Sequence, residues 1–480
     1  MLTREIPLLD SINMTDKELI ALANKYKDLP GFGGFYVVDE PFNPSPYARI
    51  ANILNKVCPD ARINVNFLPV NCYADPGHYL RQLCDYGGLL ENGGVLSLDC
   101  YCFPNGGGVD EKNLFTNYEA IRKAGLITGC DTAVYVQSVG MIGGFNYRRP
   151  SEADLRYNMM AALAYGIKEI QFFTFGSPGT QDFTYTDGLI DINCEPTELY
   201  YSVCGINKKV HTIGEYLAAC DAKYVYHNLN LTDGAYNILP KDSFVRAGSA
   251  DIIVSLMEER EGNGEYVMVV NKDILNSQNV TLTFKGMDKV YIVDDKTGEL
   301  FQMPLSDGKL SLELVAGDCV LIKLPEGNFI PEEEAKSGNV ALGAFVSGSG
   351  SVGSGNYYLY HLTDGEKDGV TAASIGSNNG KDQYFTLDLG REYDMNRIDL
   401  YPAGSDRTIG KYNPKNFKIL VSQDGENWTE VVSNSDELSK DAPSVFRFDT
   451  VKARYVRITF IGLKGSARVE IAELEVYNEK

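Results

Sequence analysis

The feature that most restricts the fold is an alternation in the first two hundred residues. Short apolar runs at 35–38, 62–68, 95–99, 133–137 and 167–175 are each followed by a helical pattern, at 47–57, 78–86, 113–124, 152–165 and 198–219, and a further helix is expected at 16–27. Strands separated by helices are joined by crossovers and pair in parallel. The spacing therefore predicts an α/β domain, and both a (β/α)8 barrel and an open sheet agree with it. No glycine-rich phosphate loop follows any of the strands, which argues against a nucleotide-binding sheet. Thr15 ahead of the first helix and Pro150-Ser151 ahead of the long one at 152–165 are N-terminal helix signals.

The pattern changes near residue 225. Strands are expected at 251–257, 266–271, 280–284, 290–293, 309–314 and 320–324, with turns such as DDKTGE between them and no helix. That predicts an antiparallel β-sandwich over 226–325. The stretch PEGNFIPEEEAKSG is rich in Pro, Gly and charge, and 326–338 reads as a linker. A second all-β domain follows at 339–480, with strands at 384–389, 397–401, 416–422, 445–448 and 453–460. The first domain is taken as 1–225. A length of 480 residues accords with three domains.

Charge narrows the partners. Forty-four basic residues against 65 acidic ones give a net charge of −21. Nucleic-acid binding depends on Lys and Arg neutralising phosphates, so this balance argues against it and suits neutral partners. No apolar run is long enough to span a bilayer. The opening residues MLTREIPLLDSINMTDKE lack the basic end, apolar core and cleavage site of a signal peptide. The ten cysteines all precede residue 320 and match no zinc spacing. They read as small, buried, reduced thiols rather than a disulfide framework.

The strands run out into polar or aromatic residues: Asp39-Glu40, Asn71 to Tyr73, Asp99 to Tyr101, Gln137-Ser138 and Thr174 to Ser177. In a barrel the active site is assembled from such strand ends. The stretch FYVVDEPFNPSP poses the sharpest question, because a buried strand runs straight into two carboxylates. Acids near a helix start offset its exposed N–H groups. Here Pro41, Pro44 and Pro46 delay the helix to Tyr47 and make Ser45 the better cap, which leaves Asp39 and Glu40 for chemistry.

Two resemblances sharpen this. In the last third, NVALGAFVSGSGS, LTDGEKDG, QYFTLDLGREYDMNRIDLYP, NFKILVSQDGENWTEV, ARYVRITF and IAELEVYN occur in that order. Together they resemble a discoidin, or coagulation factor 5/8 type C, domain over 337–478, whose bacterial version is the family 32 carbohydrate-binding module. The resemblance implies a jelly-roll sandwich with ligand loops at one end. It also implies a structural Ca2+ near the TDG turn and the final strand, carried over to Asp364, Asp368, Thr371 and Glu473. That donor set suits calcium, which takes carboxylate, hydroxyl and carbonyl oxygens. Tyr401, Arg407 and Asn413 fall near the expected ligand loops, where a stacking ring and a forked donor suit a sugar. Trp428, in DGENWTEV, has a structural role in this family.

The first region resembles the clan-A glycoside hydrolases, which are (β/α)8 enzymes. GGFYVVDEP is similar to their strand four, whose final Glu is the general acid/base, and this places Glu40 in that role. Asp39 stands where an Asn is common and is expected to bind a sugar hydroxyl. VLSLDCY, AVYVQS and IQFFTFGSP are similar to strands six, seven and eight. RRPSEADLRYNMMAALAYGIKEI resembles a group of uncharacterised bacterial members that also carry discoidin domains. Retaining members end strand seven in a nucleophilic Glu; here that place holds Gln137. Glycoside hydrolysis normally needs two carboxyls, and Asp99 is the other acid that ends a strand, as nucleophile or base. Asn71, Tyr101 and Gln137 are expected to line the site through hydrogen bonds. Partial burial should raise the Glu40 pKa so that it donates a proton at neutral pH.

No counterparts of strands one to three precede FYVVDEP. The expectation is thus a partial barrel in an N-terminally incomplete chain, with an apolar inner face open to water at some cost. The resemblances imply a glycoside hydrolase that acts on oligosaccharide or polysaccharide glycans, targeted by its C-terminal module, outside the cell or on its surface. The alternative is a non-catalytic carbohydrate-binding or adhesion protein with a degenerate barrel.

Overall fold

The computed structural model describes residues 4–8, 11–72, 76–91, 94–179, 183–229, 237–240, 243–330, 338–342, 344–349, 357, 359–363, 365, 367, 369, 372–376, 381–404, 409–462 and 468–479. It divides into two compact units. The larger holds Met1–Cys72 and Gln82–Pro331; the smaller holds Glu332–Lys480 together with Tyr73–Arg81.

The larger unit is built on six strands: β1 (Arg4–Pro7), β2 (Phe32–Asp39), β3 (Arg62–Phe67), β4 (Val95–Asp99), β5 (Asp131–Gln137) and β6 (Glu169–Phe173). They lie side by side in chain order and every pair is parallel. Strand β1 is an addition to the sequence reading, since REIP carries no apolar run. Helices α1 (Asp16–Tyr26), α2 (Tyr47–Val57), α3 (Pro76–Gly88), α4 (Glu111–Thr128) and α5 (Glu152–Ala164) make the crossovers, and α6 (Glu198–Leu217) follows β6. Unreversed strand order is that of a barrel wall rather than of a doubly wound sheet, where the order reverses at a switch point.

The sheet is curled. In a flat sheet β3 and β6, three spacings apart, would be separated by about 14 Å. Instead Asn64 Nδ2 donates to Gln171 Oε1 at 3.2 Å, and Arg62 pairs with Glu169 across the same gap. The result is a six-stranded half-barrel, not a closed eight-stranded barrel. Its inner face corrects the expectation of exposed apolar surface. Successive side chains point to opposite faces of a strand, and in RINVNF the apolar Ile63, Val65 and Phe67 alternate with Asn64 and Asn66. The concave face therefore carries Tyr36, Asn64, Asn66, Ser97, Tyr135 and Gln171. The convex face carries Phe35, Val37, Val65, Phe67, Leu96, Leu98, Val134 and Val136, all at most 3% exposed.

Local signals set the helix starts. Thr15 and Glu18 form a reciprocal capping box on α1, and Ser151 and Asp154 form another on α5. Helix α2 departs from expectation. Its N-cap is Pro46, with no side-chain cap bond, so Ser45 does not take that role. The fixed φ of proline sets the start instead.

Helix α5 is buried from Asp154 to Ala164 except at Arg156. It packs on β5 from one side and on the strands Ile252–Glu259 and Glu265–Asn271 from the other, so it has no polar stripe to spare. Those strands belong to a β-sandwich of a seven-stranded and a three-stranded sheet, antiparallel apart from a short parallel pair at its edge. Its core includes Val245, Val254, Leu256, Val267, Leu282 and Phe284. Arg156 Nε donates to the Ala316 carbonyl at 2.9 Å and Arg122 Nη1 to the Ala222 carbonyl at 2.8 Å. At Gly317, φ is +67° and an added Cβ would lie 2.6 Å from the Ala153 carbonyl oxygen, so only glycine allows this approach. Half-barrel and sandwich thus form one compact unit, and the expected boundary at 225 falls inside the strand Cys220–Asn228.

The smaller unit is a discoidin-like β-sandwich. Two long strands, Gln383–Pro402 and Ser444–Phe460, lie side by side in its main sheet. The first pairs with Phe345–Gly348 in its N-terminal half, with Ser444–Phe460 from Gln383 to Leu400, and with Arg468–Tyr477 from Arg397 to Pro402, with register shifts near Gly390 and Asn396. Phe385, Leu387, Ile398, Leu400, Ile419, Val456, Ile458, Phe460, Ile471 and Leu474 fill its core.

Candidate active site

The C-terminal ends of β2 to β4 bring three carboxylates together. A register shift between Tyr36 and Val38 sets Asp39 level with Asn66 on β3. Asn66 Nδ2 donates to Asp39 Oδ1 at 3.1 Å and to Asp99 Oδ1 at 3.3 Å, and Ser97 Oγ donates to Asn66 Oδ1 at 3.4 Å. Tyr36 Oη donates to Asp39 Oδ1 at 2.6 Å. Glu40 follows with φ at +47°, a left-handed conformation rare outside glycine, and its N–H donates to the Asn66 carbonyl at 2.8 Å. Non-glycine residues held in this region collect at functional sites. The turn swings the Glu40 side chain back to a hydrogen bond with Asp99.

Electrostatics follow from this crowding. Asp99 is 7% exposed. Burial first, then the charges of Glu40 and Asp39, push its pKa up to about 7, against hydrogen bonds from Tyr101 and Asn66. Glu40 sits at the open rim; loss of surrounding water and then the Asp39 charge raise its pKa, while the bond to Asp99 works the other way. Two adjacent carboxyls that resist joint ionisation share a proton. Tyr101, hydrogen-bonded to Asp99, is held well above the usual phenol range by burial and then by that charge. The Cys72 thiol is also raised, by loss of water first and then by the charges of Glu40 and Asp99.

Of the residues expected here, Asp39, Glu40, Asp99 and Tyr101 come together. Gln137 is fully buried and committed to backbone. Its Oε1 accepts from Phe103 N–H at 3.1 Å, and its Nε2 donates to the Val139 and Arg148 carbonyls at 3.1 and 2.8 Å. It ties the loop after β4 to the loop after β5. Asn71 lies in a short 3-10 turn, Val70–Cys72, and its side chain is outside those described. Sequence reasoning missed Tyr36 and Asn66. The polar alternation in RINVNF is the signal that could have found Asn66.

In the smaller unit, Glu473 is fully buried and its Oε2 accepts from Gly365 N–H at 3.1 Å, beside the TDG turn. A buried carboxylate reaching that turn has the oxygen chemistry a calcium ion takes. Asp364, Asp368, Thr371 and Arg407 lie outside the described residues, among which no group of three His, Cys, Asp or Glu is placed to hold a metal ion. Tyr401 is half-buried, with Lys367 Nζ 4.8 Å from its ring centre and hydrogen bonds to Glu475 and Lys367. Asn413 Nδ2 donates to the Leu438 and Ser439 carbonyls at 3.0 and 3.2 Å.

The F5/8 type C domain family matches residues 346–474. This stretch is an F5/8 type C domain. Among solved structures, the chain is similar to CpGH89CBM32-5 from Clostridium perfringens, in complex with GalNAc-β-1,3-galactose, at 20% identity over 30% of this chain and 100% of that one, with a TM-score of 0.26. It is similar to CBM32-3 from a family 31 glycoside hydrolase of Clostridium perfringens at 23% identity over 31% and 99%, with a TM-score of 0.25. It is also similar to chitosan-binding module 1 from a chitosanase/glucanase of Paenibacillus sp. IK-5 at 21% identity over 29% and 98%, with a TM-score of 0.24. No curated protein matches the chain. No helix among the described residues is long and apolar enough to cross a membrane.

Proposed function

We propose that the protein is a glycoside hydrolase acting on neutral glycans and that its F5/8 type C domain holds it to them. The observation that supports catalysis is the Glu40–Asp99 pair at the C-terminal end of the half-barrel. Sharing one proton near neutral pH, the pair can donate it from the exposed Glu40 to a leaving glycosidic oxygen. Asp39 and Tyr101 flank the pair as hydrogen-bonding groups for sugar hydroxyls. Glu40 is the acid that protonates the leaving oxygen, and Asp99 is the buried partner with which it shares that proton. Glu473, with Asp364, Asp368 and Thr371, would hold a structural Ca2+ in the F5/8 type C domain. The domain's family resemblance supports a place outside the cell or on its surface.

The test is E40Q in the full chain. Hydrolysis of neutral oligosaccharides should be lost while glycan binding by the F5/8 type C domain is retained; hydrolysis at the wild-type rate would remove Glu40 from the role. A second reading is a carbohydrate-binding protein without turnover. It is favoured by Gln137, whose amide is spent on backbone where clan-A enzymes place a nucleophile. The absence of turnover on any glycan by the wild-type chain would establish that reading.

A further inference from the structure

Beside the carboxylates lies an aromatic assembly that proton transfer does not use. Tyr101, hydrogen-bonded to Asp99, has its ring centre 5.2 Å from Phe173 and 6.1 Å from Tyr147. Tyr147 continues to Phe145 at 6.2 Å, with the two rings within 10° of parallel. Phe145 meets Phe183 at 5.5 Å, Phe183 meets Tyr185 at 6.4 Å, and Tyr185 returns to Phe173 at 6.1 Å. Six rings, five from the loops after β4, β5 and β6 and Phe173 from the end of β6, thus form a closed circuit that begins at the acid pair.

The circuit is held in place. Met141–Ile142 and Thr184–Tyr185 pair as a two-stranded antiparallel sheet between the loops after β5 and β6, and Gly140 N–H donates to Thr186 Oγ1 at 2.7 Å. Gly144, at φ +94°, lets the Phe183 ring lie against the backbone, because an added Cβ would sit 2.4 Å from the ring. Yet Phe145 is 62% exposed and its neighbour Ile142 57%. An apolar patch of Phe145 and Ile142 held in water is the kind of surface that a ligand covers.

Resting on the glycan reading above, we propose that this circuit is a subsite for further neutral sugar units, so that the substrate is an oligosaccharide or polysaccharide chain rather than a terminal monosaccharide glycoside. The chemistry selects this occupant. Aromatic faces accept the C–H face of a pyranose, and the phenol groups of Tyr147 and Tyr185 supply edge hydrogen bonds. Three adjoining carboxylates and a net charge of −21 disfavour a polyanion.

The experiment is calorimetric titration of the full chain, in the E40Q background to prevent turnover. The probes are xylo-, manno-, galacto- and N-acetylchito-oligosaccharides from monosaccharide to hexasaccharide. The single tryptophan, Trp428, lies in the F5/8 type C domain, so its fluorescence follows that domain alone. For at least one series, affinity should rise with chain length at a site to which Trp428 is silent. F145A and Y147A should weaken the longest member there about tenfold or more, with monosaccharide binding and the Trp428 signal unchanged. F145W should keep the binding and add a second tryptophan whose emission the sugar alters. Unchanged long-chain affinity in both alanine variants, a silent F145W, or no Trp428-silent binding in any series would overturn the proposal. Loss of long-chain binding in F145A, together with hydrolysis by E40Q at the wild-type rate, would leave the subsite standing and remove the acid assignment.

Discussion

On the concave face of the parallel sheet, β2 to β6 present Tyr36, Asn64, Asn66, Ser97, Tyr135 and Gln171, several joined by hydrogen bonds across the curl. In the F5/8 type C domain, the long strands turn Phe385, Leu387, Ile398, Ile458 and Phe460 inward. Both interiors are walled by strands, but only one is apolar. A hydrogen bond inside a protein adds on the order of 1 kcal/mol net, whereas one left unmade costs more. A polar interior is thus a poor source of stability and a good way to hold groups in fixed geometry. The half-barrel takes its stability from its convex side, packed under helices, and leaves its concave side free to arrange Asp39, Glu40 and Asp99. The C-terminal domain spends its interior on the fold and leaves recognition to its surface.

This contrast can be broken in order of effect. The largest expected change is the loss of hydrolysis in E40Q, about 10²–10⁴-fold for removal of a general acid, with the melting temperature near wild type. Next, F385A should cost about 3–5 kcal/mol and lower the melting of the C-terminal domain. N66A, on the concave face, should cost about 1–2 kcal/mol while impairing hydrolysis. Equal destabilisation by the two would erase the distinction between the interiors.

A smaller effect sharpens the electrostatics. With its pKa pushed up to about 7, folded Asp99 keeps a proton that the unfolded chain gives up near pH 4. Ionised Asp99 therefore weighs on the fold, increasingly from about pH 4 to about pH 7. D99N should then be more stable than wild type at about pH 8, by roughly 1–3 kcal/mol, and equal to it near pH 4. Melting at both values decides this, and a variant less stable at the higher pH contradicts it. Hydrolysis by wild type should fall as pH rises past about 7 and the shared proton is lost. The smallest expected change is on chelation: excess EDTA should lower the C-terminal melting by a few degrees, as removal of a ligand bound only to the folded state does. An unmoved transition removes calcium.

Much of this was legible in the sequence. Apolar runs and caps gave the strand–helix alternation, and DEP after a buried strand pointed to Glu40. What escaped depends on geometry between distant strands. REIP pairs with β2 through its backbone, which no side-chain pattern reports. The polar interior was missed because alternation inside a short strand reads as one exposed face, whereas here that face is turned inward by curl. Gln137 was read as site lining because its backbone partners, Phe103, Val139 and Arg148, lie on two separate loops. The aromatic circuit draws on residues up to 84 positions apart, Tyr101 to Tyr185, which only the fold brings together.

Helix α5 has a further consequence for how such a gene is inherited. With sheet on both sides, it belongs to the half-barrel and the sandwich at once. A recombination that parted the sequence near 225 would strip one side of α5 of its cover and split the strand Cys220–Asn228. The sandwich is therefore obliged to travel with the half-barrel as a single cassette.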